Sequence, residues 1–231
     1  MSDVELSHPL DHPIWSALTT RQRELAEGGA EARRYPTAIA PFADMVDLSA
    51  NSFAALGALL SGSEIAVLFT PDPVTPPPEF KVLLAETGEQ MIGAPAAFSL
   101  PGVEIVTLGA ADVPAMMALV ELTKPGPFGT RTHELGTFLG IRDSGRLVAM
   151  TGERMKPGHY TEMTAVCVHP DYRGHGYAQA LLSAVSQQIV ARGEIPFLHV
   201  FSHNTSAIAL YRRQGMETRR RVHITVLQKQ G

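Results

Sequence analysis

VCVHPDYRGHGYA, residues Val166 to Ala178, carries an apolar strand through a His-Pro turn into a basic, glycine-rich loop and then straight into an apolar helix. That layout makes an anion site. The first amides of a helix have no partner inside it and the helix dipole is positive there, so main chain alone can hold a phosphate or pyrophosphate. Gly174 and Gly176 lack a Cβ, which lets an oxygen approach the backbone and opens dihedrals that other residues avoid. Arg173 adds a planar guanidinium suited to a phosphate.

Spacing separates the families that share this logic. No Gly-Lys-Ser or Gly-Lys-Thr occurs, which excludes a P-loop. A dinucleotide fingerprint needs a third glycine where Gln179 stands, and it opens a βαβ unit rather than following several strands. The pattern present is Arg-x-x-Gly-x-Ala, Arg173 to Ala178. Further on, an apolar strand Ile195 to Phe201 leads into Asn204-Thr-Ser-Ala207-Ile-Ala-Leu210-Tyr211-Arg-Arg-Gln-Gly215-Met216. Asn204 or Thr205 caps a helix there, Ala207, Ile208 and Tyr211 fall on one side of it, and Gly215 stops it. In that order the two segments resemble the acetyl-CoA-binding motif and the second landmark of the GNAT acyltransferase superfamily. The resemblance is closest to its FR47-like branch, in which such a domain follows an N-terminal region.

Composition agrees with a cytosolic enzyme of this kind. The chain has 231 residues, 45% hydrophobic and 18% charged, enough to bury a sizeable core. A net charge of −4 argues against a general basic field for nucleic acid. The one cysteine, Cys167, cannot form an internal disulfide and reads as a small buried hydrophobe. No signal pattern and no apolar run of membrane-spanning length is visible, so neither nucleic acid nor membrane is expected as a partner, and the cytoplasm is the expected location. The histidines do not suggest a metal: His199 and His203 stand four apart on or beside a strand, about 13 Å, too far for one ion. His8 and His12, in a proline-broken terminal segment, read as mobile. Arg219-Arg-Arg221 reads as a solvated strand end.

The pattern divides the chain near Leu100 to Gly102. Residues 101–231 read as strand Val103 to Leu108, a helix announced by Asp112 and Pro114, a loop with a short helical turn, strands Thr137 to Arg142 and Leu147 to Arg154 around the turn Asp143-Ser-Gly145, then the two motif segments and a last strand. The resemblance implies an α/β (α+β) fold, a GNAT-like mixed, mostly antiparallel central sheet flanked by helices. In residues 1–100, Ile14, Leu18 and Leu25 suggest a helix ended by Gly28-Gly29, Ile65 to Phe69 a strand, and the five prolines of Pro71 to Pro78 a loop. This N-terminal lobe is either a degenerate GNAT-like half or a cover or dimerisation element, which leaves a homodimer open.

The resemblance implies an acetyl-CoA-dependent N-acetyltransferase that acetylates a primary amine of a small molecule, amino acid or peptide directly and releases CoA. The alternative is a non-catalytic acyl-CoA-binding module. On the first reading, the backbone of Arg173, Gly174, His175, Gly176, Tyr177 and Ala178 holds the pyrophosphate. The pantetheine arm lies along Val166, Cys167 and Val168 as an added strand. Its neighbour, ending at Asn204, splays away to admit it, with Asn204 and Ala207 beside the arm. Tyr211 is the proton donor to the leaving thiolate, since a phenol with a pKa of about 10 keeps its proton at neutral pH. Glu162, and after it Glu153, are the candidate bases, each read equally as a solvated strand-end charge. Glu162 shares a face with Thr164, Val166 and Val168 unless a bulge switches the register. Met117, Val120, Phe128 and Arg131 are expected to wall the acceptor pocket.

Overall fold

Short apolar runs bounded by turn residues make strands, and the computed structural model, which describes residues 8–230, gathers eight of them into one sheet. In chain order the elements are α1 Pro13–Thr19, β1 Glu27–Gly28, β2 Ala32–Arg34, β3 Ala43–Met45, α2 Ala50–Leu59, β4 Ile65–Thr70, β5 Phe80–Ile92 and β6 Ile105–Leu108. There follow α3 Val113–Thr123, β7 Phe138–Asp143, β8 Arg146–Glu153, β9 Tyr160–Val168, α4 Tyr177–Ala191, β10 Ile195–Phe201, α5 Thr205–Arg213 and β11 Glu217–Lys229. The large sheet runs β4-β11-β5-β10-β9-β8-β7-β6, and β1 to β3 form a small sheet of their own. Only β9 and β10 run parallel within the large sheet; its other pairs are antiparallel. The fold is thus the mixed, mostly antiparallel α/β sheet with flanking helices that the resemblance implies.

Helices cover both faces because each brings an apolar stripe. On α4, Leu181, Leu182, Val185 and Ile189 recur at helical spacing and pack with Ile208 and Tyr211 of α5 on Met163, Leu198 and Val200. On the opposite face, Ile14 and Leu18 of α1 join Tyr35 and Phe42 over Val67, Phe69, Phe197 and Ile224. Met116 and Leu119 of α3 pack beside them on Phe138, Met150 and Cys167. Each such fully buried apolar side chain contributes about 1.5–3 kcal/mol.

In the first hundred residues the expected strand is present as β4 and the proline-rich stretch 71–78 is a loop, but other parts depart from the sequence reading. Helix α1 stops at Thr19 instead of reaching Gly28, because the hydroxyls of Thr19 and Thr20 donate to the carbonyls of Trp15 and Ser16 and end the run. The strand β5 lies between β10 and β11, so residues on both sides of residue 100 contribute strands to the large sheet. Gly88 makes that placement possible: a Cβ there would lie 2.9 Å from Ile224 Cδ1 and 3.1 Å from Val200 O. The basic run is not solvated at its start, since Arg219 and Arg220 both donate to Asp11 Oδ1 at 2.7 Å. His8 is likewise tied down, with Nε2 3.1 Å from the Tyr160 hydroxyl.

A bulge shapes β9. Met150 pairs with Cys167 but Gly152 with Thr164, so β9 carries one extra residue, and Ala165 takes a left-handed φ of 51°. The extra residue switches faces: Glu162, Thr164 and Cys167 share the α3 side, while Met163, Val166 and Val168 turn toward α4. Alanine in that conformation costs about 1–2 kcal/mol, partly offset by the greater chain entropy a glycine would lose. Ala165→Gly is therefore expected to stabilise the fold by about 0.5–1 kcal/mol and Ala165→Val to destabilise it, as read from urea unfolding.

Candidate active site

Strands β9 and β10 pair only at Tyr160 with Ile195, Thr161 with Pro196 and Glu162 with Phe197. Beyond that they diverge, and from Met163 to Val168 β9 has no strand partner on the β10 side. The gap opens into a cavity of about 520 Å³ that passes through the sheet. Thr164, Ala165, Val166 and Val168 line one wall, and Leu198, His199, Val200 and Phe201 the other. Cys167 is turned away, and burial, though opposed by a hydrogen bond with Thr123, pushes its thiol up to about 12. It is a packing residue.

At one end of the cavity the chain turns through Gly174 and Gly176, both at positive φ (82° and 80°), into α4. Gly176 caps the helix without a side chain, and among the described residues no acceptor engages the amides of residues 174 to 179. Arg173 and Ala178 border the cavity, and His175 and the Arg173 side chain face solvent. Six amides, one exposed guanidinium and no side chain in the way form an anion cradle.

Across the gap, Asn204 caps α5 by accepting from Ala207 N at 3.2 Å, and Asn204, Ala207, Leu210 and Tyr211 all border the cavity. The amphipathic α5 packs Ile208 and Tyr211 inward, which fixes the ring of Tyr211. No described group hydrogen-bonds its hydroxyl. Burial first, and then the neighbouring Cys167, pushes the phenol up to about 12, so it holds its proton throughout the neutral range.

Neither candidate base reaches this cavity, and neither is solvated. Glu162 is fully buried: Arg154 donates to both carboxylate oxygens at 2.7 and 2.8 Å, and His199 Nδ1 lies 2.8 Å from Oε1. Burial raises this carboxyl, but the Arg154 charge and hydrogen bonds, with His199, outweigh it and hold the group at about 2. Glu153 turns toward the end of α4, where Arg192 Nη2 (2.7 Å) and Lys156 Nζ (3.0 Å) take both its oxygens. The side chains that front Glu162 are Arg154 and His199, which sequence reasoning missed. The Gln90 side-chain oxygen accepts from Arg219, and its nitrogen donates one N–H to Leu10 O and presents the other to His199 Nε2 at 3.0 Å. His199 is therefore the Nδ1–H tautomer, with its acceptor nitrogen engaged. Its exposure to the cavity was legible only in its alternation with Leu198 and Val200.

The opposite mouth is not walled by the residues expected there. Phe128 stacks edge-on against Phe138, 5.7 Å between centroids, Arg131 pairs with Glu134 at the surface, and Met117 and Val120 do not border the cavity. The wall is built instead by the segment after α3, Thr123 to Pro127, and by Phe42, β4 and β11 from the α1 side.

Comparison with known proteins bears on this arrangement. Residues 138–224 match the family model described as FR47-like protein. A crystal structure of a protein from Novosphingobium aromaticivorans DSM 12444, described as an acetyltransferase from the GNAT family, is 41% identical, with a TM-score of 0.89 over 97% of this chain and 100% of that one. A GCN5-related N-acetyltransferase from Kribbella flavida, 16% identical, shares the fold over 94% of both chains with a TM-score of 0.65. An acetyltransferase of Yersinia pestis is 38% identical over 63 residues, 26% of this chain, which spans 44% of that relative's length. The N-alpha-acetyltransferase RimI of Mycobacterium tuberculosis is 33% identical over 101 residues, 40% of this chain and 62% of its own.

Proposed function

The chain belongs to the GNAT family of acetyltransferases, and from that premise we propose that it is an acetyl-CoA-dependent N-acetyltransferase acting on a primary amine by direct transfer. The observation that carries this reading is the conjunction of an open β9–β10 gap, a helix N-terminus with six free amides at its end, and a protonated, unpartnered Tyr211 beside it. Bound acetyl-CoA supplies an acyl group activated as a thioester. The amides of residues 174 to 179 and Arg173 hold its pyrophosphate, and the free edge of β9 from Met163 to Val168 aligns its pantetheine arm as an added strand. Tyr211 gives its proton to the departing sulfur. Glu162 enters as the ion-pair partner that holds Arg154 at the cavity, and Glu153 pairs outside it with Arg192 and Lys156; among the described residues no carboxylate borders the cavity, so the proton of the amine leaves to water.

The test is thiol release from acetyl-CoA across an amine panel. Turnover on at least one amine is expected; tight CoA binding with none would make the chain a non-catalytic acyl-CoA binder. Because Arg173 is exposed, its contact is expected to be worth roughly 0.5–1 kcal/mol, so Arg173→Ala should raise the KM for acetyl-CoA about 2–5-fold while leaving kcat near its starting value.

A further inference from the structure

The gap joins two chemically different halves. On the α5 face lie the amide cradle, Arg173 and Tyr211; on the α1 face the cavity floor is a row of aliphatic and aromatic side chains from three neighbouring strands. Val226 of β11 stands opposite both Val67 of β4 and Leu84 of β5, and Ile224 stands opposite Phe69, with Ile65 at the near end of β4. Ile65, Leu84 and Val226 are only half-buried, although each has a neighbouring strand on which it could close. An apolar floor left open inside a cavity marks where an apolar ligand body is desolvated.

Charge is missing from this half. The guanidinium of Arg154, the cation on this side, is spent on Glu162 and lies 4.5 Å from the Phe42 ring. Both nitrogens of His199 are engaged, and no acidic side chain borders the cavity among the described residues. A carboxylate on the acceptor would be desolvated without a cation, and a second ammonium without an anion.

We infer that the acceptor is a primary amine carried on an aromatic or branched aliphatic body, with no carboxylate and no second charge next to the amine. The inference rests on the donor assignment proposed above and adds the class of its acceptor. The full chain is assayed for thiol release with acetyl-CoA and 2-phenylethylamine, isoamylamine, L-phenylalanine, L-glutamate or spermidine. The two apolar amines should exceed the other three by about tenfold or more in kcat/KM, because a polar group buried unpaired discriminates at least that strongly. Leu84→Lys, at a half-buried site outside the main core, should lower kcat/KM for 2-phenylethylamine about tenfold and narrow its advantage over L-phenylalanine. Retained CoA binding by calorimetry shows that this variant is folded. Preference for L-glutamate, L-phenylalanine or spermidine overturns the inference, as does an L84K profile identical to the parent. Faster turnover of octanoyl-CoA than acetyl-CoA with no discrimination among amines also overturns it, and gives the floor to the acyl chain. No thiol release from either donor with any amine overturns the proposed function as well.

Discussion

Tyr211→Phe is expected to lower kcat about 100-fold or more with little change in the KM for acetyl-CoA, the range lost when a positioned general acid is removed. The substitution keeps the ring that α5 packs against the α4 core and deletes only the hydroxyl. That hydroxyl has no hydrogen-bond partner among the described residues, so its loss leaves no buried group orphaned, and unfolding free energy should change by less than about 0.5 kcal/mol. Catalysis and stability are thereby separated in one variant. The proton is secure because burial, and then Cys167, raise the phenol to about 12. A rate that depends on the protonated form is lost only as pH rises through that value, so the parent should show no decline from this group between pH 7 and pH 10. Steady-state kinetics across that range decide the matter. An unchanged kcat would make Tyr211 a packing residue and move the departing thiolate's proton to solvent.

What could be read in advance follows the range of the interactions. The anion loop and the α5 cap are local: Gly174, Gly176 and Asn204 act on backbone within a few residues of themselves, and their meaning is visible in a window of thirteen or so letters. The alternation of β7 to β9 is local too, up to the bulge. Ala165 carries no mark of its left-handed conformation, and that one residue decides that Val166 and Val168 face α4 while Glu162 faces the other way. The fate of Glu162 then depends on Arg154 across the β8–β9 connection and on His199 in a later strand, neither of which spacing can place. β5 was illegible for the same reason. Its run Glu86-Thr-Gly-Glu-Gln90 looks like a polar loop, yet it pairs with β11 more than a hundred residues later, where Gly88 accommodates Ile224 and Gln90 becomes the buried link between Arg219 and His199. Long-range pairing, not propensity, makes that strand.

The second large effect is expected on the other side of His199, at Glu162, which lies 2.8 Å from its Nδ1. Glu162→Gln removes the counter-charge of Arg154, a guanidinium with 9% of its side chain exposed, and leaves the arginine's two N–H groups facing a neutral amide that can accept only one of them well. Breaking a buried pair by removing one partner costs about 3–5 kcal/mol, a large share of the 5–15 kcal/mol that holds a domain together. Removing both partners should cost much less, so Glu162→Gln with Arg154→Met is expected to recover most of the loss, a coupling that a double-mutant cycle measures. The pH dependence carries a distinct signature. A carboxyl held at about 2 against an ordinary 4.5 contributes stability that is fully present above about 4.5 and is lost as pH falls toward 2. The parent should therefore lose a few kcal/mol across that window in urea titrations, and Glu162→Gln, with no carboxyl to protonate there, should be nearly flat over the same window apart from contributions shared by both proteins. Identical acid limbs in the two proteins would show that the Arg154–Glu162–His199 cluster does not anchor the floor of the gap. Because Glu162 stands behind Arg154 and His199 and outside the cavity, turnover per folded molecule should survive the substitution to within about tenfold, whereas a carboxylate acting as base on the amine would take about 100-fold or more with it.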